Sequence, residues 1–184
     1  MTRTAFRLAL LLGGFAVATS ASAITGEETF SYQGSEVATL TWTTAGSLTT
    51  FALDFLQAPN NNSYIRSIEF NGPNGAYTDT DASTVSTGTY GSHQDAGYTY
   101  TWKVGFQTAP GDGRLNIGEE ATWTIASAGP FVPDMPLLSI NKFTTENQGV
   151  KICGVSVVPE PASGTLLLAG LAGLGLLARR RNAR

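Results

Sequence analysis

The clearest pattern along the chain is alternation. Tyr98, Tyr100, Trp102, Val104 and Phe106 alternate with Thr99, Thr101, Lys103 and Gly105. A period of two places the first set on one face of an extended chain, and predicts a strand with that face on the core. Thr49, Phe51, Leu53 and Phe55 alternate in the same way. Leu40 and Trp42 share a face of EVATLTWTT, and Ala121, Trp123 and Ile125 share a face of ATWTI. YIRSIEF, PLLSINKF and VKICGVSVV are further strand candidates. The separators Ala45-Gly46, APNNNS, NGPNG, APGDG and AGP are rich in turn formers. No sustained 3.6-residue period runs through this region. Many short strands between turns predict an all-β domain, a single antiparallel β-sandwich or jelly roll. TDTDASTVSTGTYGSHQDAG, residues 78–97, reads as a long polar loop, and GPFVPDMP as an irregular crossing.

Both ends break this pattern with uninterrupted apolar runs. Near the start, Arg3 and Arg7 precede the run Leu8 to Ala18, and Ala21-Ser22-Ala23 follows. A basic start, a short apolar core and an A-x-A site predict a secretory signal peptide over residues 1–23, cut after Ala23 by signal peptidase. Near the other end, Ala162 to Ala178 is an uncharged run of 17 residues. As a helix it is about 25 Å long, a little short of a bilayer core of about 30 Å. Arg179, Arg180 and Arg181 follow at once. They can snorkel to the interface, and as basic flanks they hold that end in the cytoplasm. The expectation is a transmembrane helix over residues 162–178 with a basic end over 179–184. The domain of residues 24–157 then lies outside the inner membrane.

Pro159 and Pro161 bracket Glu160 ahead of that run. Proline fixes its own φ and turns the preceding residue away from helix. Val158 and Glu160 are thereby held extended, the form in which peptides are commonly read by partners.

Val158-Pro159-Glu160-Pro161, the Gly- and Leu-rich run and the Arg179–Arg181 cluster together resemble the PEP C-terminal sorting signal of Gram-negative bacteria. The resemblance covers the tail, residues 158–184. It implies that the chain is a substrate of exosortase, a membrane-embedded protease or transpeptidase. The chain would be held transiently in the inner membrane, cut near the motif, and passed to the cell surface or an extracellular polysaccharide matrix.

Charge changes the picture of the body. Of 11 basic residues, two lie in the signal segment and four in the last six positions, leaving five; 13 of the 14 acidic residues lie in the body. The body is therefore near −8, which excludes nucleic acid as a natural partner. Cys153 is the lone cysteine, so no intrachain disulfide forms, and its place on a strand predicts a small buried residue. His93 is the lone histidine, which excludes a multi-histidine zinc site, and no G-x-S-x-G elbow supports a triad built on it. Adjacent Glu119 and Glu120 lead from a turn into the Trp123 strand. Asp79 and Asp81, spaced to share a face, are calcium candidates together with Asp95 or Asn74, although no EF-hand spacing is completed. Tyr77 and Tyr90 flank the polar stretch and are expected to be exposed.

The expectation is an exported surface or matrix protein with a structural or adhesive role, without enzymatic activity and without an obligatory cofactor. Two alternatives stay open: a secreted glycan-binding or glycan-hydrolysing protein, and a permanently anchored single-pass membrane protein.

Overall fold

The computed structural model describes residues 23–109 and 113–157. Most of the signal segment, the motif Val158–Pro161, the apolar run and the arginine cluster lie outside the described residues.

The described residues form strands and no helix. In chain order they are β1 (Ile24–Tyr32), β2 (Ser35–Ala45), β3 (Leu48–Phe55), β4 (Tyr64–Asn71), β5 (Gly75–Asp79), β6 (Ser86–Asp95), β7 (Tyr98–Phe106), β8 (Leu115–Asn116), β9 (Glu120–Ser127), β10 (Asp134–Asn141) and β11 (Val150–Val157). Neighbours run β5-β9-β3-β2-β1-β11-β10-β4-β7-β6, with β8 beside β4, and the pairings between strands are all antiparallel.

The all-β, antiparallel body matches the alternation of the sequence. Where a sandwich or jelly roll was expected, the pairing joins everything into one sheet rolled nearly closed. β11 makes the join. Its first half, Val150 to Cys153, pairs with β10, and Gly154 to Val157 pairs with β1. Gly154 sits at the changeover. A Cβ there would lie 2.8 Å from Pro136 and 3.2 Å from the Glu28 carboxylate, so only glycine lets the strand pass between the two halves.

The far edges, β5 and β6, face each other without a pairing ladder. Side chains close this seam. The Tyr77 ring lies over Gly88, where a Cβ would come within 2.1 Å of it, and the Tyr77 hydroxyl is 2.5 Å from the Ser86 hydroxyl. Tyr77 is thus half-buried against the core and not exposed as expected. Tyr90 is 46% exposed, its ring set edge-on to Trp102.

Inside the roll the core is aromatic. Phe51 and Trp123 stack at 5.4 Å between centroids, and Phe131 meets Phe51 and Phe70 edge-on. Phe131 comes from the irregular crossing before β10, and its carbonyl accepts a hydrogen bond from the Thr44 hydroxyl at 2.7 Å. Truncating a buried aromatic of this kind to alanine costs about 3–5 kcal/mol.

Three expectations are corrected. Residues 78–97 are not one loop: they contain the end of β5 and all of β6. β6 is an edge strand in which Ser, Thr and Gly fill six of ten positions, and the apolar cover over Gly88 is lent by Tyr77, so its own sequence carries no hydrophobic alternation. Cys153 is exposed, because Ile152 takes the inward position and Cys153 pairs with Leu137 on the outer face. Tyr98, predicted for the core face, is 51% exposed, and Tyr100 is buried but outside the core cluster.

Candidate functional site: a polar cleft under the end of the β6–β7 hairpin

The position of Tyr100 follows from a fold in the β6–β7 hairpin. Its ladder loses register between Tyr90 and His93, where the extra residues of a bulge bend the strand. Beyond the bend, Asp95 forms an ion pair with Lys151 on β11. Four strand spacings of about 4.8 Å separate β6 from β11 across a flat sheet, about 19 Å, far beyond the reach of a Lys–Asp pair. The hairpin end, residues 94–100, therefore doubles back over the outer face of β7, β4, β10 and β11 as a flap. Tyr100 lies on its underside. Burial pushes its phenol above the ordinary tyrosine value, reinforced by Cys153, Glu69 and Tyr98 nearby.

The outer face beneath the flap is set by register. Glu69 pairs with Lys103 and with Leu137, and Ser67 pairs with Ser139, which pairs with Lys151. Pairing partners point to one side of a sheet. Ile68 and Phe70 between them point to the core. Glu69 is fully buried although it is on the outer face. Its Oε1 receives the Lys103 ammonium at 2.6 Å and the Ser67 hydroxyl at 3.3 Å. A carboxylate buried this deeply needs such a partner.

Between flap and sheet opens a cleft of about 730 Å³. Ser67, Ser139 and Asn141 line it from the sheet, and Gln94 and Asp95 from the flap. Three of the body's five basic residues, Arg66, Lys103 and Lys151, also line it. Lys103 and Lys151 are paired with Glu69 and Asp95; Arg66 is exposed and forms no ion pair among the described residues. Counting these five charges, the cleft is net positive on a body near −8. Ser139 is 7% exposed, and its buried Oγ has no hydrogen-bond partner among the described residues.

The calcium candidates are not brought together: Asp79 and Asp81 lie at the β5–β6 connection, while Asp95 lines the cleft. Asp79 Oδ2 accepts the Ser86 N–H at 2.9 Å and its Oδ1 the Asp81 N–H at 3.1 Å. Asp81 accepts the N–H and hydroxyl of Ser83. Burial alone would raise its carboxyl, but these bonds and those from Thr84 outweigh it and hold the carboxyl below its usual range. Both residues organise the β5–β6 connection. Asp95 lies at the opposite end of β6, and Asn74 is an exposed loop residue before β5. Among the described residues no three His, Cys, Asp or Glu side chains gather as a metal site. His93 lies at the bulge, its Nε2 3.3 Å from the Thr89 carbonyl. Glu119 caps the turn into β9, accepting the Asn116 N–H at 2.7 Å, and Glu120 opens the strand.

Sequence reasoning missed the cleft. Arg66, Ser67, Ser139 and Lys151 are spread over three strands. The one local signal was Glu69, a charged residue flanked by the apolar Ile68 and Phe70 of β4.

Residues 157–181 match the PEP-CTERM protein-sorting motif. The tail thus carries the signal of an exported protein that exosortase sorts to a surface or extracellular location. The match begins at Val157, the last residue of β11. Neither a comparison with curated proteins nor one with solved structures finds a match for this chain.

Proposed function

We propose that this is a surface or extracellular-matrix protein with a structural or adhesive role, delivered by exosortase and not itself an enzyme. In this reading signal peptidase cuts after Ala23 and the body crosses the inner membrane. The run 162–178 holds it there while the arginines stay inside. Exosortase then acts at Val158–Pro161, and the body passes to the surface or into extracellular polysaccharide. The observation that carries the reading is the sorting-motif match, which begins at Val157, the last residue of β11. That placement supports processing of the folded protein. The recognised tripeptide follows closely on Val157, the last position of the β1–β11 ladder among the described residues.

The test is made in a host with its exosortase. Glu160→Ala removes the charge and keeps the extended backbone; Pro161→Ala keeps the charge and relaxes Glu160. Both should leave the body folded and exported while the full-length, membrane-held form accumulates. Mature protein of normal mass and amount from both variants would overturn recognition of the motif.

A further inference from the structure

We propose that the cleft under the β6–β7 flap binds a sugar acid residue, free or within a chain. Arg66 takes the carboxylate, while Ser67, Ser139 and Asn141 exchange hydrogen bonds with the hydroxyls. This goes beyond the sorting of the protein and does not depend on it, since no residue of the tail is involved.

Three observations converge. The first is size: about 730 Å³ falls within the range of small-ligand pockets, roughly 300–1,000 Å³, and is far more than an inorganic anion needs. The second is charge. A body near −8 concentrates three of its five cations at one cleft. Two are held by Glu69 and Asp95, which leaves the Arg66 guanidinium as the fork open to a carboxylate. The third is the Ser139 hydroxyl, buried against the cleft and unpartnered among the described residues. Buried polar groups in folded proteins have partners, and a ligand hydroxyl supplies one. The lining groups around it are hydroxyls and amides, which both donate and accept as sugar hydroxyls do. A peptide adding a strand would instead call for an open sheet edge, and an amphipathic helix for an apolar groove.

The test uses the full-length protein in mild detergent and measures binding calorimetrically. The probes are a trigalacturonate, a neutral trisaccharide of similar size, galacturonic acid alone and inorganic phosphate. The trigalacturonate should bind at least tenfold more tightly than the neutral sugar. Galacturonic acid binding on its own would place recognition in a single residue, as proposed. Arg66→Gln, at an exposed position, should weaken uronate binding about tenfold or more, the worth of a charged hydrogen bond. Ser139→Ala should weaken uronate and neutral sugar alike. Lys142→Gln, which removes an exposed cation outside the cleft, should change nothing. Equal binding of neutral and acidic sugars, phosphate binding as tight as uronate, equal losses in Arg66→Gln and Lys142→Gln, or no binding at millimolar ligand would each overturn the proposal. Thermal melts of the variants separate loss of binding from loss of fold.

Discussion

Glu69 and Lys103 show how much a single pairing decides. Glu69 is fully buried, its Oε2 has no partner among the described residues, and Lys103 at 2.6 Å is its one cationic neighbour. Lys103→Met keeps the length of the side chain and deletes the charge, leaving a buried carboxylate with only the Ser67 hydroxyl. The cost should be about 1–3 kcal/mol, below the roughly 3–5 kcal/mol of a fully buried pair, because the Lys103 side chain is 39% exposed. Urea unfolding should show this as a lower midpoint at unchanged slope. Adding Glu69→Leu to the same chain should restore most of the loss, since an apolar side chain needs no counter-charge there. A double variant as weak as Lys103→Met alone would mean that the site depends on shape and not on charge.

The seam between β5 and β6 is held at the scale of elements. Burial pushes the Tyr77 phenol up to about 12; the bond with the Ser86 hydroxyl lowers it and the neighbouring Asp79 raises it again. In the unfolded chain tyrosine ionises near 10. Below about pH 10 both states keep the proton, and the burial of neutral Tyr77 contributes in full. From about pH 10 to 12 the unfolded state loses its proton first, so stability falls as pH rises through that window. Tyr77→Phe should cost about 0.5–1.5 kcal/mol at neutral pH through the lost bond to Ser86. It should also remove part of the alkaline decline. Thermal melts at pH 8, 10 and 12 on both proteins check this, and parallel curves across the range would refute it. The flap is the other device at this scale. It is the continuation of the hairpin past its bulge, latched by Asp95 to Lys151, and it makes a cleft out of what would be the open back of a sheet.

For the molecule as a whole, the first and last strands of the described residues meet in the middle of the sheet. β1 pairs β11, and β11 binds both halves of the roll together. Residues 24–157 should therefore fold without either apolar end, giving a β-type far-UV circular dichroism spectrum and one cooperative melt. Ending the chain at Cys153 should abolish that melt, because β1 would keep only β2 as a partner and the sheet would lose its join. A helical spectrum for residues 24–157 would sink the idea of an independent domain.

What local sequence determined here was whatever repeats at short range. The period-two runs of β3, β7 and β9 named their own buried faces, since Phe51, Trp102 and Trp123 recur at the spacing of a pleat. The tail was legible for the same reason, with its motif, apolar run and basic end contiguous. The turn role of Glu119 was also local. The tertiary structure alone decided the rest. β6 hid in a polar stretch because the ring that covers it belongs to β5. Cys153 reached the surface because its neighbour Ile152 took the core. Tyr98 and Tyr100 kept the alternation of β7 yet left its core, because a bulge on the partner strand folded the hairpin end over the sheet. The cleft gathers residues from β4, β7, β10 and β11 with the flap end of β6, which no spacing along the chain can foretell. Periodicity records which side of its own strand a residue faces; what lies on that side is set by register and bending, and those depend on residues far away in sequence.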